Sequence, residues 1–240
     1  MFGKRNNEDA LEIIRQLHDG DYIAVDFETS DRFEGICSIG VASFKDGNLL
    51  GYAKQLVNPE CRFDEVNIGI NEITPEMVKN EDNFPTVWSN WFGDLINNKF
   101  VVAHNASFDI RLIKETCDRY GLPTVNFKFY CTLKIAESIW PELENHKLDT
   151  LARANKISFH HHHAEDDAIA AGKIFALEMR QFTECLNPDI FDREHWPADI
   201  FPDHYVNMSK HLLDPKTSLL IPDHVGNKLP AIGSDEYSKL

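Results

Sequence analysis

No apolar run in the 240 residues approaches the ~20 needed to cross a bilayer as a helix, and the polar start, Met1 to Asp9, has no apolar segment behind it. The expectation is a cytoplasmic protein without a membrane partner. Cysteine is sparse. The five residues, Cys37, Cys61, Cys117, Cys131 and Cys185, are odd in number, scattered and without a Cys-x-x-Cys pair, which argues against a disulfide framework and a cysteine-built zinc site. They read as reduced, mostly packed thiols. Positive charge is also short, with 24 Lys and Arg against 39 Asp and Glu and a net charge of -15. A protein that grips nucleic acid by neutralising phosphates over a broad face is ordinarily basic. Any nucleic-acid contact here must be local, directed at an end, bridged by metal ions, or helped by a partner. Internal repeats are absent, and the one low-complexity block is His160-His161-His162-His163.

What is present fits one globular domain with an appendage. Apolar residues make up 42% and aromatics 11%, enough for a core at this length and too much for general disorder. Glu8 to His18 carries Leu11, Ile14 and Leu17 at helical spacing before Asp19-Gly20, so a short amphipathic helix leads into the first strand. Ile23 to Thr29, Ile36 to Phe44 and Leu49 to Val57, with a hairpin turn at Asp46-Gly47, predict a three-stranded antiparallel meander. Proline at the first helical position marks helices at Thr74-Pro75 and from Pro85 to Ile96, the latter with Trp88, Trp91, Phe92 and Leu95 as a packing stripe. Phe100 to Ala103 is a short apolar strand of the α/β kind. A periodic helix follows from Ser107, then a strand at Asn126 to Cys131 and helices at Leu133 to Ile139, Lys147 to Asn155 and Ala164 to about Phe182. The fold class is therefore α/β, with residues 1–182 as the domain. Beyond it, prolines at 188, 197, 202, 215, 222 and 230 alternate with aromatics such as Phe191, Trp196, Phe201 and Tyr205. Residues 183–240 read as an irregular extension that packs on the domain, on a second copy or on another partner.

Acids stand where apolar side chains are expected. Asp26 and Glu28 interrupt the first strand two residues apart, so they share one face while Val25 and Phe27 occupy the other. Two carboxylates so placed repel by roughly 3 kcal/mol at ~5–6 Å and an effective dielectric near ~20. As hard oxygen donors they would be drawn together by Mg²⁺ or Mn²⁺. Asp109 falls on the apolar stripe of its helix, three and four residues before Leu112 and Ile113. It needs a partner there, unless it serves the helix dipole and turns back to water. Asp167 shares a helix face with Ala164, Ala168 and Ala171, whereas Asp166 is rotated by about 100° toward Lys173. Taken alone, the four histidines make a metal-sticky loop. Together with four acids at element ends, a histidine supplies what two-metal phosphodiester hydrolysis requires: carboxylates for two ions and a base for the attacking water.

Three motifs in order carry a family resemblance: Val25-Asp26-Phe27-Glu28-Thr29, His104-Asn105-Ala106-Ser107-Phe108-Asp109 and His162-His163-Ala164-Glu165-Asp166-Asp167-Ala168. Over roughly residues 20 to 180 the chain resembles the DEDDh exonucleases. The resemblance implies a ribonuclease H-like fold, a mixed five-stranded sheet flanked by helices, and 3′ to 5′ removal of nucleotides as 5′-monophosphates, on DNA in repair or proofreading before RNA. It implies two divalent cations, Mg²⁺ or Mn²⁺. Asp26, Glu28 and Asp167 would ligate one, Asp26 would bridge to the second, and Asp109 would serve that second ion directly or through water. His162, five residues before Asp167, would be the general base, and Thr29, His104 and Phe108 match positions that line the pocket for the 3′-terminal nucleotide. Ser30 departs from the glycine of many relatives. The implied partners are nucleic-acid 3′ ends and a polymerase or repair protein. An exoribonuclease is the alternative within this class, and a non-catalytic module docking a polymerase or complex is the alternative outside it. A retired site would have lost one of the five ligating or base residues, and all five are present.

Overall fold

Alternation along the first strand decides how the molecule is layered. In the computed structural model, which describes Ile13 and residues 15–31, 35–123 and 125–186, with the side chains of the last helix as far as residue 181, β1 (Tyr22–Thr29) is the middle strand of five. Ile23, Val25 and Phe27 enter one hydrophobic cluster, and Tyr22 and Ala24 enter another on the opposite face. β1 pairs antiparallel with β2 (Ile36–Lys45), which pairs antiparallel with β3 (Asn48–Leu56) through a turn at Asp46 and Gly47, both at positive φ. On its other side β1 pairs parallel with β4 (Phe100–Ala103), and β4 parallel with β5 (Lys128–Cys131). The order β3-β2-β1-β4-β5 is the mixed five-stranded sheet expected for the class.

Local signals set the helices. α1 (Glu65–Asn71) is capped by Asp64, whose side chain accepts from the Val66 N–H, and α2 (Pro75–Val78) opens on proline. α3 (Phe84–Val87), capped by Asn83, runs through a π turn at Trp88–Phe92 into α4 (Gly93–Ile96). Trp88 and Phe92 are buried there, and Phe92 meets Phe27 edge-on at 5.8 Å, so this aromatic stripe is core. α5 (Ser107–Tyr120) ends where Gly121 takes φ 62, the left-handed cap that glycine adopts without strain. α6 (Thr132–Ile139), α7 (Leu148–Ala154) and α8 (Ala164–Leu186) follow.

α8 lies unusually close to the sheet. The Tyr22 hydroxyl donates to the Gly172 carbonyl at 3.0 Å, and a Cβ at Gly172 would stand 2.1 Å from Phe44. Under the start of the same helix, a Cβ at Gly40 would stand 2.0 Å from the Ala164 carbonyl oxygen. Two glycines therefore let α8 dock, and Gly40 is the β2 residue paired with Asp26.

Several boundaries differ from the sequence reading. α8 continues past Phe182 to Leu186, and β5 begins at Lys128 because residues 125–127 lie outside the ladder. The leading helix is described only at residues 13 and 15–18, and the extension beyond Leu186 lies outside the described residues. Cys37, Cys117 and Cys131 are buried and free, while Cys61 is free but exposed.

Glu178, wholly buried in α8, has no hydrogen-bond partner on either carboxylate oxygen among the described residues, and burial pushes its carboxyl well above the usual range. Unfolded, such a group ionises near pH ~4.3, so the folded chain binds more proton above that pH. Its contribution to stability is full below ~4.3 and is lost as pH rises through the folded pKa. Glu178→Gln should therefore gain stability relative to wild type between about pH 5 and about pH 8, by up to about 1.4 kcal/mol per pH unit. Urea midpoints in EDTA read this directly. Parallel pH dependences in the two proteins would mean that Glu178 is ionised in the native state.

Candidate active site

Asp26 and Glu28 continue the face of β1 that carries Tyr22 and Ala24, beyond the point where that face is covered by apolar side chains. Asp26 is half-buried and Glu28 is buried. Asp109 sits in the first turn of α5, which suits a carboxylate because the helix N-terminus is its positive end. Asn105, at φ 61, turns the chain from β4 into that helix. Asp167 is delivered by the first turn of α8, in the position that Gly40 makes possible. Carboxylate oxygens of Asp26, Glu28 and Asp167 all lie within 4.8 Å of one another.

Crowding registers in their acidities. The Asp26 carboxyl is pushed well above the usual range by burial first and then by Asp109, Asp167 and Glu28. Glu28 is raised to about 8 by burial and by Asp167, against an Asn71 hydrogen bond and the charge of Lys54. Burial also raises Asp109, with Glu28 adding to it. Asp167 is raised by burial, while its hydrogen bond from His161 opposes the shift. Among the described residues Lys54 offsets only part of this crowding, and only at Glu28. Hard carboxylate oxygens converging at this spacing fit a divalent cation, whose charge would return them to the ionised form.

The histidine run folds back on Asp167. His161 Nδ1 lies 2.9 Å from Asp167 Oδ1, and the backbone N–H of His162 donates to Asp167 Oδ2 at 2.7 Å. His162 takes φ 67, and burial together with His161 pushes its pKa below the ordinary histidine value. Asp166, expected to face Lys173, instead lies 3.7 Å from His160, at the surface side of the helix.

A cavity of about 410 Å³ gathers these groups with the exception of Asp109, which is not in its lining. Asp26, Glu28, Asp167, His162 and His104 line it, and so do Phe27, Asn105, Leu133, Lys147, Leu148 and His161. His104 Nδ1 is 2.9 Å from Thr132 Oγ1, and burial followed by His161 lowers the pKa of His104 to about 4, so it is a neutral hydrogen-bonding group. Thr29 and Phe108 are not in that lining. The Thr29 hydroxyl accepts a 3.1 Å hydrogen bond from Asn67, and Phe108 is 36% exposed with the Arg111 guanidinium over its ring. Ser30, the departure from family glycine, is buried, with its hydroxyl 3.2 Å from Cys61 Sγ. The sequence reading did not reach His161 or Lys147. Spacing to Asp167 pointed past His161, and Lys147 stood in no motif, just ahead of α7.

The matching family model is that of the ribonuclease T exonucleases, described as Exonuclease and covering residues 23–175. The chain belongs to the DEDDh exonuclease family and is a nuclease, hence a hydrolase. Among individual proteins it is similar to the PolC-type DNA polymerase III of Lacticaseibacillus paracasei, with 31% identity over 169 residues, 68% of this chain and 12% of that one. The PolC-type polymerase of Listeria welshimeri is 31% identical over 186 residues, 71% of this chain and 13% of its own. The chain thus spans a small fraction of these relatives. Exonuclease X in complex with 5′ overhanging duplex DNA shares the fold at a TM-score of 0.54 and 24% identity, covering 76% of this chain and 98% of that one. The nuclease domain of 3′hExo, a DEDDh family member bound to rAMP, matches at a TM-score of 0.57 and 17% identity over 68% and 94% of the two chains. The sheet and flanking helices are therefore the ribonuclease H-like arrangement that the three motifs implied. Among the described residues no helix is long and apolar enough to cross a membrane.

Asp26→Asn removes one charge from the cluster. Without divalent ions at about pH 7.5 it should stabilise the chain by about 1–3 kcal/mol, a rise of a few degrees in thermal midpoint, and the advantage should shrink toward about pH 4 as the wild-type acid protonates without cost. With Mn²⁺ the order should reverse, because ions binding the native state stabilise the wild type more. A variant less stable than wild type in EDTA would show that Asp26 is not under charge strain.

Proposed function

We propose that this chain is a metal-dependent 3′ to 5′ exonuclease that releases nucleoside 5′-monophosphates, acting on DNA before RNA. The observation that carries the reading is the convergence of Asp26, Glu28 and Asp167 within 4.8 Å at a cavity that also holds His162 and His104. Asp26, Glu28 and Asp167 would hold one divalent ion, Mg²⁺ or Mn²⁺, and Asp26 with Asp109 would serve a second. When bound, such ions lower the pKa of the attacking water and neutralise charge on the phosphate. His162, neutral near pH 7, would take the proton of the attacking water as its oxygen bonds to phosphorus, while the bond from phosphorus to the 3′ oxygen of the preceding nucleotide breaks and that oxygen takes a proton from solvent. His104 offers a neutral hydrogen bond to the terminal nucleotide, and Lys147 brings a positive charge for a phosphate. Thr29 and Phe108 would complete the terminal pocket only from outside the present cavity wall.

Similarity to PolC-type polymerases supports DNA and a proofreading or repair setting, with a polymerase or repair protein as partner. Residues 183–240 are proposed, on their sequence alone, as a docking or self-association segment. The 3′hExo domain bound to rAMP keeps RNA as the second substrate.

Purified protein on 5′-labelled single- and double-stranded DNA and RNA should give ladders shortening from the 3′ end, only with Mg²⁺ or Mn²⁺, and closed circles should resist. Asp26→Ala and Asp167→Ala should nearly abolish the reaction while leaving the fold intact. His162→Ala should lose on the order of 10²-fold or more in rate, and wild-type rate should rise with pH through the apparent pKa of His162. Full activity in EDTA, or a circle cut as fast as a linear strand, would sink the proposal.

A further inference from the structure

The run His160–His163 contributes one residue to the proposed reaction, yet the fold gives two of its members a common partner. Consecutive side chains on an extended segment point to opposite sides. His162 lies in a turn, not a strand: its φ of 67 is in the left-handed region, and the Asp167 carboxylate accepts from its N–H. The reversal brings the His161 and His162 rings together, centroids 4.0 Å apart and planes 13° from parallel. Ligand atoms of His161, His162 and Asp167 all lie within 4.8 Å of one another, and His161 Nδ1 is already 2.9 Å from Asp167 Oδ1. The His160 and His163 rings lie 6.0 Å apart, His160 faces Asp166 at 3.7 Å, and neither histidine belongs to this cluster.

Two imidazoles and one carboxylate form the donor set of a borderline divalent ion such as Zn²⁺, with metal–nitrogen distances of ~2.0–2.1 Å and a fourth position left open. Mg²⁺ prefers oxygen throughout and discriminates against this set. We propose that His161, His162 and Asp167 form a second cation site, selective for a borderline transition ion over Mg²⁺, whose occupation switches the nuclease off. The inhibitory half of this rests on the reading under Proposed function. Asp167 belongs to both donor sets, and His162 is the base, so an ion on the histidines engages the lone pair that would take the proton of water. It also draws the Asp167 oxygens away from Asp26 and Glu28.

Zn²⁺ titrated against a chromophoric chelator, with the full chain in large excess of Mg²⁺, reads the site without reference to catalysis. Wild type should take up one Zn²⁺ per chain. His161→Ala and His161→Gln should each bind it at least about tenfold more weakly, while His163→Ala and Asp26→Asn bind as wild type. Loss in Asp26→Asn with retention in both His161 variants would place the ion among the carboxylates and overturn the proposal. Equal losses at His161 and His163 would reduce the run to a non-selective chelating loop and do the same. In parallel, Zn²⁺ should inhibit Mg²⁺-supported hydrolysis, and at least about tenfold more should be needed for the His161 variants, each judged against its own zinc-free rate. Zinc uptake at His161 in a chain that hydrolyses nothing would uphold the site and refute the nuclease, and hydrolysis without zinc uptake would do the reverse.

Discussion

Mutual repulsion among buried carboxylates is the constraint on which the arrangement depends. Asp26, Glu28, Asp109 and Asp167 come from one strand and two helix starts, and each has its pKa displaced upward by burial, most of them further by another member. No single element gathers them. The strand fixes two by alternation, and the dipole at the start of α5 favours the third. The fourth arrives because α8 can approach the sheet. Left alone the cluster costs stability, and a divalent cation would offset that cost. On the proposed reading the same groups would make the chain less stable without an ion and chemically useful with one.

Close approach of α8 is a backbone matter. Gly40 lies beside Asp26 in the ladder and beneath Ala164, and Gly172 lies over Phe44. A methyl group at either position would collide with backbone or ring, lifting the helix and with it Asp167, His161 and His162. Lys54, opposite Gly40 on β3, pairs with Glu165 at 3.1 Å and ties the helix start to the edge of the sheet. The geometry of the acids is therefore held at residues that carry no chemistry.

Much of this was legible in the residues. Alternation placed Asp26 and Glu28 on one face, and the structure divides β1 between two hydrophobic clusters in that phase. Helical phase set Asp109 and Asp167 on the inward stripe, where both are 3% exposed. The histidine run was not legible in the same way. Its conformation depends on a left-handed residue stabilised by a carboxylate in the next helix, a tertiary contact that periodicity does not encode. Gly40 was silent for a similar reason, since its role appears only when α8 is laid across β2. A motif named Thr29 and Phe108, which do not line the cavity; the Thr29 hydroxyl accepts from Asn67, and Phe108 is exposed.

The central claim, that these acids are held together for divalent ions, is tested most directly by counting bound Mn²⁺ with electron paramagnetic resonance at neutral pH, without nucleic acid. The account predicts saturable uptake by wild type, with Glu28→Gln and Asp109→Asn each reducing the number or the affinity of bound ions. Equal uptake in wild type and both variants, or none in any of them, would contradict it.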